Sequence, residues 1–140
     1  MTKGPIIIVE DDPDDQEIYT ESIRSIGIPN EIKFFEGGES ALEYLITTDD
    51  QPFIIISDVN MPGMSGLEFK ERIQNNDYLR LKGIPFVFIS TNASATAVRK
   101  AHELSVQGYF EKPSNLAGIR NMLKTMFEYW AMCRHINNIS

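Results

Sequence analysis

Apolar segments and segments of mixed polarity alternate along this chain. Short apolar runs predict five strands, at Ile6–Val9, Glu31–Phe35, Phe53–Ser57, Ile84–Ser90 and Gln107–Glu111. Segments with apolar residues at helical spacing predict five helices, near residues 13–26, 39–47, 65–75, 94–105 and 115–134. Strands that alternate with helices in this way are typical of βαβ units with right-handed crossovers. The predicted fold is therefore α/β, a doubly wound, five-stranded parallel sheet covered by helices on both faces.

Particular residues mark where some of these helices begin and end. Ser65 and Glu68 form a capping-box pair that starts the third helix. Gly27 is expected to stop the first helix, and Ser114 is expected to cap the last one. The helix predicted at 115–134 carries a broad apolar stripe, which indicates a side that faces the core.

Asp58 directly follows the apolar run of the third strand, where a charged residue is unusual. The run is bounded by turn residues, so it predicts a strand buried on both faces. A carboxylate at the carboxyl end of such a strand lies in the crevice where open α/β sheets bind ligands. Asp58 is therefore a candidate for chemistry, although an Asp in this place also serves to cap a turn.

An acidic run, from Glu10 to Asp15, follows the first strand. Helix formation explains part of it, because Pro13 suits the first helical position and Asp12 suits the N-cap before it. Asp14 and Asp15 would then lie in the first turn, where the positive end of the helix dipole stabilises negative charge. This interpretation requires no function for the Asp residues of the helix start.

Glu10 and Asp11 are left unexplained by the helix, and they stand at the carboxyl end of the first strand. If the first and third strands are neighbours in a parallel sheet, both acids converge with Asp58. Two unit charges ~4 Å apart repel by about 4 kcal/mol at an effective dielectric constant of about 20. Such a cluster needs a cation or raised pKa values. Oxygen ligands without nearby His or Cys favour Mg²⁺ or a similarly hard ion.

Two further strands end in polar residues that suit the same edge of the sheet. The fourth strand ends in Ser90 and is followed by Thr91, and hydroxyls there either bind an anion or begin a turn. Lys112 follows the fifth strand, and it either balances the carboxylates or binds a phosphoryl group as a point charge. Each feature is weak alone, but together they form a specific constellation in chain order.

The length, net charge and cysteine count limit the classes of protein to which this chain is expected to belong. The 140 residues predict one domain, and the net charge of −7 argues against a nucleic-acid-binding surface. No apolar run approaches the ~18 residues that a membrane span requires, and no signal peptide is recognisable at the N-terminus. Cys133 is the only cysteine, which excludes an internal disulfide and favours a cytoplasmic location.

With this constellation the sequence resembles the receiver domain of two-component response regulators, from about residue 4 to about residue 127. The matching segments are residues 9–12, 57–66, 89–91 and 109–113. The resemblance implies a flavodoxin-like fold and a single receiver domain over residues 1–140, whose last helix runs to about residue 134. No output domain is expected after that helix, so the output is expected to be contact with other proteins.

The resemblance also implies a role for each residue near the acidic cluster. Asp58 is the expected phosphoacceptor. Asp11 and Asp58 are expected to bind Mg²⁺ directly, Glu10 through water, and Asn60 through its main-chain carbonyl. Asn60 and Asn92 are expected to flank the phosphate and to help set the rate of its hydrolysis.

By the same resemblance, Ser90 and Lys112 hold the phosphoryl oxygens, and Ser90 and Tyr109 form a conformational switch. The Lys112–Pro113 peptide bond is expected to be cis, a form that only an X-Pro bond adopts at low cost. Thr91 is bulkier than the small residue common at this place and is expected to narrow the access of small phosphodonors.

The partners implied by the resemblance are proteins. A histidine kinase or a phosphotransfer protein would supply the phosphoryl group from a phosphohistidine. A downstream target would bind the face formed by the helices near 94–105 and 115–134 and the fifth strand. A homodimer through the last two helices is a further option, whereas nucleic acid and membrane are not expected partners. No enzymatic activity is expected beyond self-phosphorylation from a donor and autodephosphorylation.

Two other hypotheses fit parts of the sequence. One is a Mg²⁺-dependent phosphatase with an aspartyl nucleophile, which usually needs a second acid two positions after the nucleophile. Asn60 occupies that position, so the sequence disfavours a phosphatase. The other is a degenerate receiver that serves as a binding scaffold, and the presence of all the charged groups argues against it.

Overall fold

The computed structural model describes residues 3–134, and all five predicted strands are present. They are β1 (Ile6–Val9), β2 (Ile32–Phe35), β3 (Ile54–Ser57), β4 (Phe86–Ser90) and β5 (Gly108–Glu111). β1 has the predicted bounds, and the other strands begin one or two residues later than predicted. Before β4, Pro85 has no N–H group and joins the sheet only through its carbonyl, which accepts from Ile55 at 2.9 Å.

The helices within residues 3–134 include the five that were predicted and one that was not. They are α1 (Pro13–Ser25), α2 (Gly38–Thr47), α3 (Gly66–Gln74), α4 (Asp77–Lys82), α5 (Ala95–Glu103) and α6 (Leu116–Met132). The unpredicted helix is α4, with only 6 residues. The Asn76 side chain caps it by accepting from the Leu79 amide at 3.0 Å, and Gly83 ends it with φ 61°. An Asn before and a Gly after a short segment are the sequence signals that mark it.

Every strand pairs in parallel with its neighbours, in the order β2-β1-β3-β4-β5 across the sheet. The strands β1 and β3 are therefore neighbours, with Val9 opposite Ser57. The residues that follow this pair are Glu10 and Asp58, so the register brings the two acids to adjacent positions at one edge of the sheet.

Both faces of the sheet are covered, as the apolar strands predicted. Helices α1 and α6 pack on one face, and helices α2 to α5 contribute to the core on the other. Every residue of β1, β3 and β4 is buried. Burial of an Ile, Val or Phe side chain contributes about 1.5–3 kcal/mol, so apolar burial is the main force that holds the central strands in place.

The predicted apolar stripe of α6 is confirmed along most of the helix. Ile119, Leu123, Met126 and Phe127 are buried, whereas Leu116 in the first turn is 42% exposed. Within residues 3–134, no helix combines the length and the apolar character needed to cross a membrane.

Two predictions near the start of α6 are wrong. Asn115 caps the helix in place of Ser114, because its Oδ1 atom accepts from the Gly118 amide at 2.7 Å. Every peptide bond within residues 3–134 is trans, so the expected cis bond between Lys112 and Pro113 is not found. Trans is the more stable form of an X-Pro bond by about 0.5–1 kcal/mol. The ends of the predicted domain, residues 1–2 and 135–140, lie outside the described residues.

Candidate functional site

The candidate residues lie at the carboxyl ends of strands that are neighbours in the sheet. Glu10 follows β1, Asp58 follows β3, Ser90 ends β4 and Lys112 follows β5. Main-chain hydrogen bonds hold these ends together. The Asp58 amide donates to the Val9 carbonyl at 3.3 Å, and the Lys112 amide donates to the Ser90 carbonyl at 2.9 Å. The sheet thus gathers at one edge an acid pair, a hydroxyl and a lysine that are far apart in sequence.

The Asp58 carboxylate is oriented by the turn that follows β3. Its Oδ1 atom accepts from the amide of Val59 at 2.6 Å and from the amide of Asn60 at 3.2 Å. Asp58 therefore does cap this turn, which was the plainer interpretation of its position. Both hydrogen bonds use the same carboxylate oxygen, and within residues 3–134 no hydrogen bond to Oδ2 is found. The cap fixes the direction of the carboxylate and leaves one oxygen for chemistry.

Glu10 is a buried carboxyl beside Asp58, with only 5% of its surface exposed. Burial raises the pKa of Glu10 from 4.5 to about 7, and the negative charge of Asp58 adds to this effect. A hydrogen bond from the Asp12 amide to Oε2, at 3.2 Å, and the positive charge of Lys112 oppose it. The raised pKa indicates that the hydrogen bond from Asp12 and the charge of Lys112 do not offset the cost of burying a charged Glu10 carboxylate.

The oxygen donors near Asp58 suit a hard divalent cation, which would provide the missing compensation. Within residues 3–134, no three His, Cys, Asp or Glu side chains form a ready group of metal ligands. In the ligand set that the resemblance implies, Asp11 and Asp58 would bind the cation directly, Glu10 through water and Asn60 through its main-chain carbonyl.

Ser90 and Tyr109 lie side by side behind this edge. Ser90 is buried, and its Oγ atom accepts from the Asn92 amide at 3.0 Å, so it does begin a turn. Tyr109 is half-buried, and its ring centroid lies 5.8 Å from that of Phe88. The Tyr109 hydroxyl donates a hydrogen bond to the Asn92 carbonyl. Burial raises the pKa of Tyr109, and a side-chain hydrogen bond with Ser90 opposes that shift.

Lys112 makes an ion pair that the sequence analysis did not foresee. Its Nζ atom lies 2.5 Å from Oδ2 of Asp15, in the first turn of α1. Sequence reasoning assigned Asp15 to the helix dipole alone. The sequence did contain a signal for this contact. Helix α1 directly follows β1, so the carboxylates of its first turn lie close to the strand ends.

A comparison of the chain with models of protein families identifies its family. The model of the response regulator receiver domain matches residues 6–124. The chain belongs to this family. The predicted identity and the predicted flavodoxin-like fold are thereby confirmed, and the receiver is a phosphoacceptor response regulator of two-component signalling.

Relatives of this receiver include a response regulator and a chemotaxis protein. Response regulator Rcp1 of Synechocystis sp. is 28% identical over 130 residues, which cover 89% of this chain and 87% of that protein. Chemotaxis protein CheY-3 of Vibrio cholerae is 29% identical over 123 residues, which cover 88% of this chain and 91% of that protein.

Solved structures of two related response regulators superimpose closely on the receiver. The phosphorylated cyanobacterial phytochrome response regulator RcpA has 26% sequence identity and a TM-score of 0.84, with 93% of this chain and 95% of that chain covered. The Mn²⁺-bound form of response regulator Rcp1 has 25% identity and a TM-score of 0.82, with 95% and 98% covered.

The receiver brings most of the predicted site residues to one place, with different degrees of exposure. Glu10 and Ser90 are buried, whereas Asp58, Tyr109 and Lys112 are half-buried around them. At the rim, the exposed residues are Asp11, Asn60 and Thr91. Exposed oxygens beside a half-buried carboxylate leave the site accessible from solvent.

Proposed function

We propose that Asp58 is the residue of this receiver that accepts the phosphoryl group, and that Ser90 and Lys112 bind its oxygens. The observation that supports this assignment is the setting of the Asp58 carboxylate. It stands at the end of the central strand β3, it is oriented by the amides of Val59 and Asn60, and both of those hydrogen bonds are made by one oxygen, Oδ1. The ends of β4 and β5 supply the hydroxyl and the lysine.

The donor would be a phosphohistidine of a histidine kinase or a phosphotransfer protein. An oxygen of Asp58 attacks the phosphorus in line, and the new P–O bond forms as the P–N bond breaks. The electron pair of the P–N bond returns to the imidazole nitrogen of the donor, which takes up a proton. The product is an aspartyl phosphate on Asp58 and a free histidine on the partner.

Electrostatic repulsion is the main obstacle to this transfer, because a phosphoryl group carries negative charge toward several carboxylates. Lys112 offsets part of that charge. A divalent cation, which we propose to be Mg²⁺, would be held by Asp11, Asp58 and the Asn60 carbonyl, with Glu10 acting through water, and would supply further positive charge.

The switch would couple the phosphate to the output face. Ser90 rotates its hydroxyl toward the phosphoryl oxygens, which breaks its bond with the Asn92 amide. The neighbouring Tyr109 then loses its present contacts and turns further inward, and this biases the face formed by α5, β5 and α6. Asn60 and Asn92 flank the phosphate and influence how fast water removes it.

The output is proposed to be the binding of a downstream protein through the face of α5, β5 and α6, in the cytoplasm. Homodimerisation through α5 and α6 is a second use of the same surface. The chain itself would turn over no external substrate, and its own chemistry would be limited to self-phosphorylation and autodephosphorylation. Neither nucleic acid nor membrane is a proposed partner.

The test is to incubate the protein with Mg²⁺ and acetyl phosphate, and separately with beryllofluoride. Intact mass measures the covalent adduct, and amide NMR follows Ser90 and Tyr109. We expect one phosphoryl adduct per chain, abolished in Asp58→Asn, with amide shifts that extend to Tyr109. Because the bulk of Thr91 is expected to narrow access for small donors, a phosphorylated histidine phosphotransfer domain serves as a second donor.

Several outcomes would contradict the proposal. An adduct that persists in Asp58→Asn would assign the phosphate to another residue. Turnover of a phosphomonoester at many equivalents per chain would instead favour the phosphatase. Failure of every donor, together with no response to Mg²⁺, would favour the degenerate scaffold.

A further inference from the structure

The ion pair between Asp15 and Lys112 joins helix α1 to the end of β5. Oδ2 of Asp15 accepts from Nζ of Lys112 at 2.5 Å, across a separation of 97 residues in sequence. The two side chains are 21% and 19% exposed, so the pair is mostly shielded from water. Within residues 3–134, Asp15 is the only carboxylate at ion-pair distance from Lys112, and Asp58 is not.

The position of Asp15 is fixed by further contacts between α1 and the end of β1. The side chain of Gln16 donates from Nε2 to the Glu10 carbonyl at 2.7 Å. The Asp12 amide donates to the Glu10 carboxylate, and the Asp12 side chain caps the helix. Asp15 is therefore held beside the candidate site by the same turn that begins the helix.

A comparison with Asp14 shows that the helix dipole does not explain the contact between Asp15 and Lys112. Asp14 and Asp15 lie in the same first turn and both benefit from its positive end. Asp14 is exposed, however, whereas Asp15 is half-buried and directed onto the ammonium of Lys112. The contact with Lys112 thus belongs to Asp15 in particular.

We propose that Asp15 is a positioning residue that competes with the phosphoryl group for the ammonium of Lys112. The inference rests on the proposed function, in which Lys112 binds a phosphoryl oxygen. In the resting receiver the ammonium lies on Asp15. Phosphorylation of Asp58 offers it a second anion, so the contact with Asp15 must be given up or weakened. Asp15 thereby lowers the affinity of the resting site for the phosphoryl group.

The test compares the affinity of variants for beryllofluoride in saturating Mg²⁺, measured by amide NMR titration. Asp15→Asn releases the ammonium but keeps the size of the side chain. A mostly shielded ion pair worth about 1 kcal/mol corresponds to a change of about fivefold in affinity. We therefore expect Asp15→Asn to bind beryllofluoride about fivefold more tightly than the wild type. Asp15→Glu keeps the negative charge and should restore the wild-type affinity.

Two matched controls separate competition for Lys112 from a general effect of charge. Asp14→Asn removes the same charge from the same helical turn and should leave the affinity within about twofold of the wild type. In a Lys112→Gln background, Asp15→Asn should have no further effect, because there is no ammonium left to release. The ¹⁵Nζ resonance of Lys112 should shift in Asp15→Asn and should not shift in Asp14→Asn.

The outcomes that would overturn the inference are distinct from those that would overturn the proposed function. Unchanged or weaker binding by Asp15→Asn contradicts competition. Equal tightening in the Lys112→Gln background, or in Asp14→Asn, shows simple charge repulsion and also contradicts it. If the folded wild type and all variants fail to bind beryllofluoride and take up no phosphoryl group, the proposed function fails and the inference falls with it.

Discussion

Gly66 packs its α-carbon directly against the main chain of Asp58. A Cβ atom at residue 66 would overlap with the Asp58 carbonyl oxygen and would lie 2.9 Å from the ring of Phe88. The Gly66 amide also donates to the Val59 carbonyl at 2.8 Å. Helix α3 can begin immediately behind the turn that follows Asp58 because residue 66 has no side chain.

A Gly66→Ala substitution should therefore destabilise the fold and disturb the turn of Asp58. The overlap involves main-chain atoms that cannot rotate away, so we expect a loss of about 1–3 kcal/mol in the free energy of unfolding, measured by urea denaturation. Gly37→Ala is the matched control, since its Cβ would meet its nearest neighbour, the Pro62 carbonyl, only at 4.0 Å. Equal losses in the two variants would refute the steric explanation.

The buried Glu10 should make the stability of the metal-free receiver depend on pH. Its pKa is raised from 4.5 in the unfolded chain to about 7 in the folded chain. The folded state binds more protons between these values, so the free energy of unfolding should fall as pH rises from about 4.5 to about 7, by up to about 3 kcal/mol. Added Mg²⁺ should reduce this loss if the proposed metal site is correct.

Chemical denaturation at several pH values measures this effect in the wild type, in Glu10→Gln and in Glu17→Gln. Glu10→Gln should flatten the profile, whereas Glu17→Gln, at an exposed position of α1, should keep it. A profile that is unchanged in Glu10→Gln would assign the pH dependence to other groups.

Lys70 on helix α3 is a buried ammonium outside the candidate site. Burial lowers the pKa of Lys70 from 10.5, although Nζ donates to Oε1 of Gln74 at 3.2 Å and lies 5.4 Å from the ring centroid of Phe86. The folded state binds fewer protons than the unfolded state just below pH 10.5, so stability should rise with pH toward that value. Lys70→Met should remove this rise and increase the free energy of unfolding at pH 7, because no ammonium then has to be buried.

Thermal and urea denaturation at pH 7 and pH 10 check this prediction. Lys124→Met is the control, because the Lys124 side chain is 60% exposed and its ion pair with Glu128 is long, at 3.9 Å. It should change stability by less than about 0.5 kcal/mol. If Lys70→Met destabilised the receiver at pH 7, the contacts of the ammonium would outweigh its burial.

The start of α6 offers a direct comparison between neighbouring candidate caps. Asn115 accepts from the Gly118 amide at 2.7 Å. Asn115→Ala should lower the free energy of unfolding by about 1 kcal/mol, while Ser114→Ala, one residue earlier, should have little effect. Urea denaturation measures both, and the reverse order of effects would restore Ser114 as the cap.

The sequence by itself determined the strands, most helices and the main chemical groups. Apolar runs and helical periodicity reflect which side chains must leave water, and this requirement acts locally along the chain. For the same reason, the apolar runs alone are enough to place Asp58, Ser90 and Lys112 at the ends of strands. The short helix α4 was not predicted because a segment of 6 residues has too few turns to display a periodic pattern.

Only the tertiary structure decided which of these groups touch. The order β2-β1-β3-β4-β5 places Glu10 beside Asp58 and so buries a carboxyl whose pKa then rises to about 7. The packing of α1 likewise brings Asp15 onto Lys112, although 97 residues separate them. Such contacts depend on how distant elements pack in three dimensions, so neither the composition of the chain nor the local spacing of its residues predicts them.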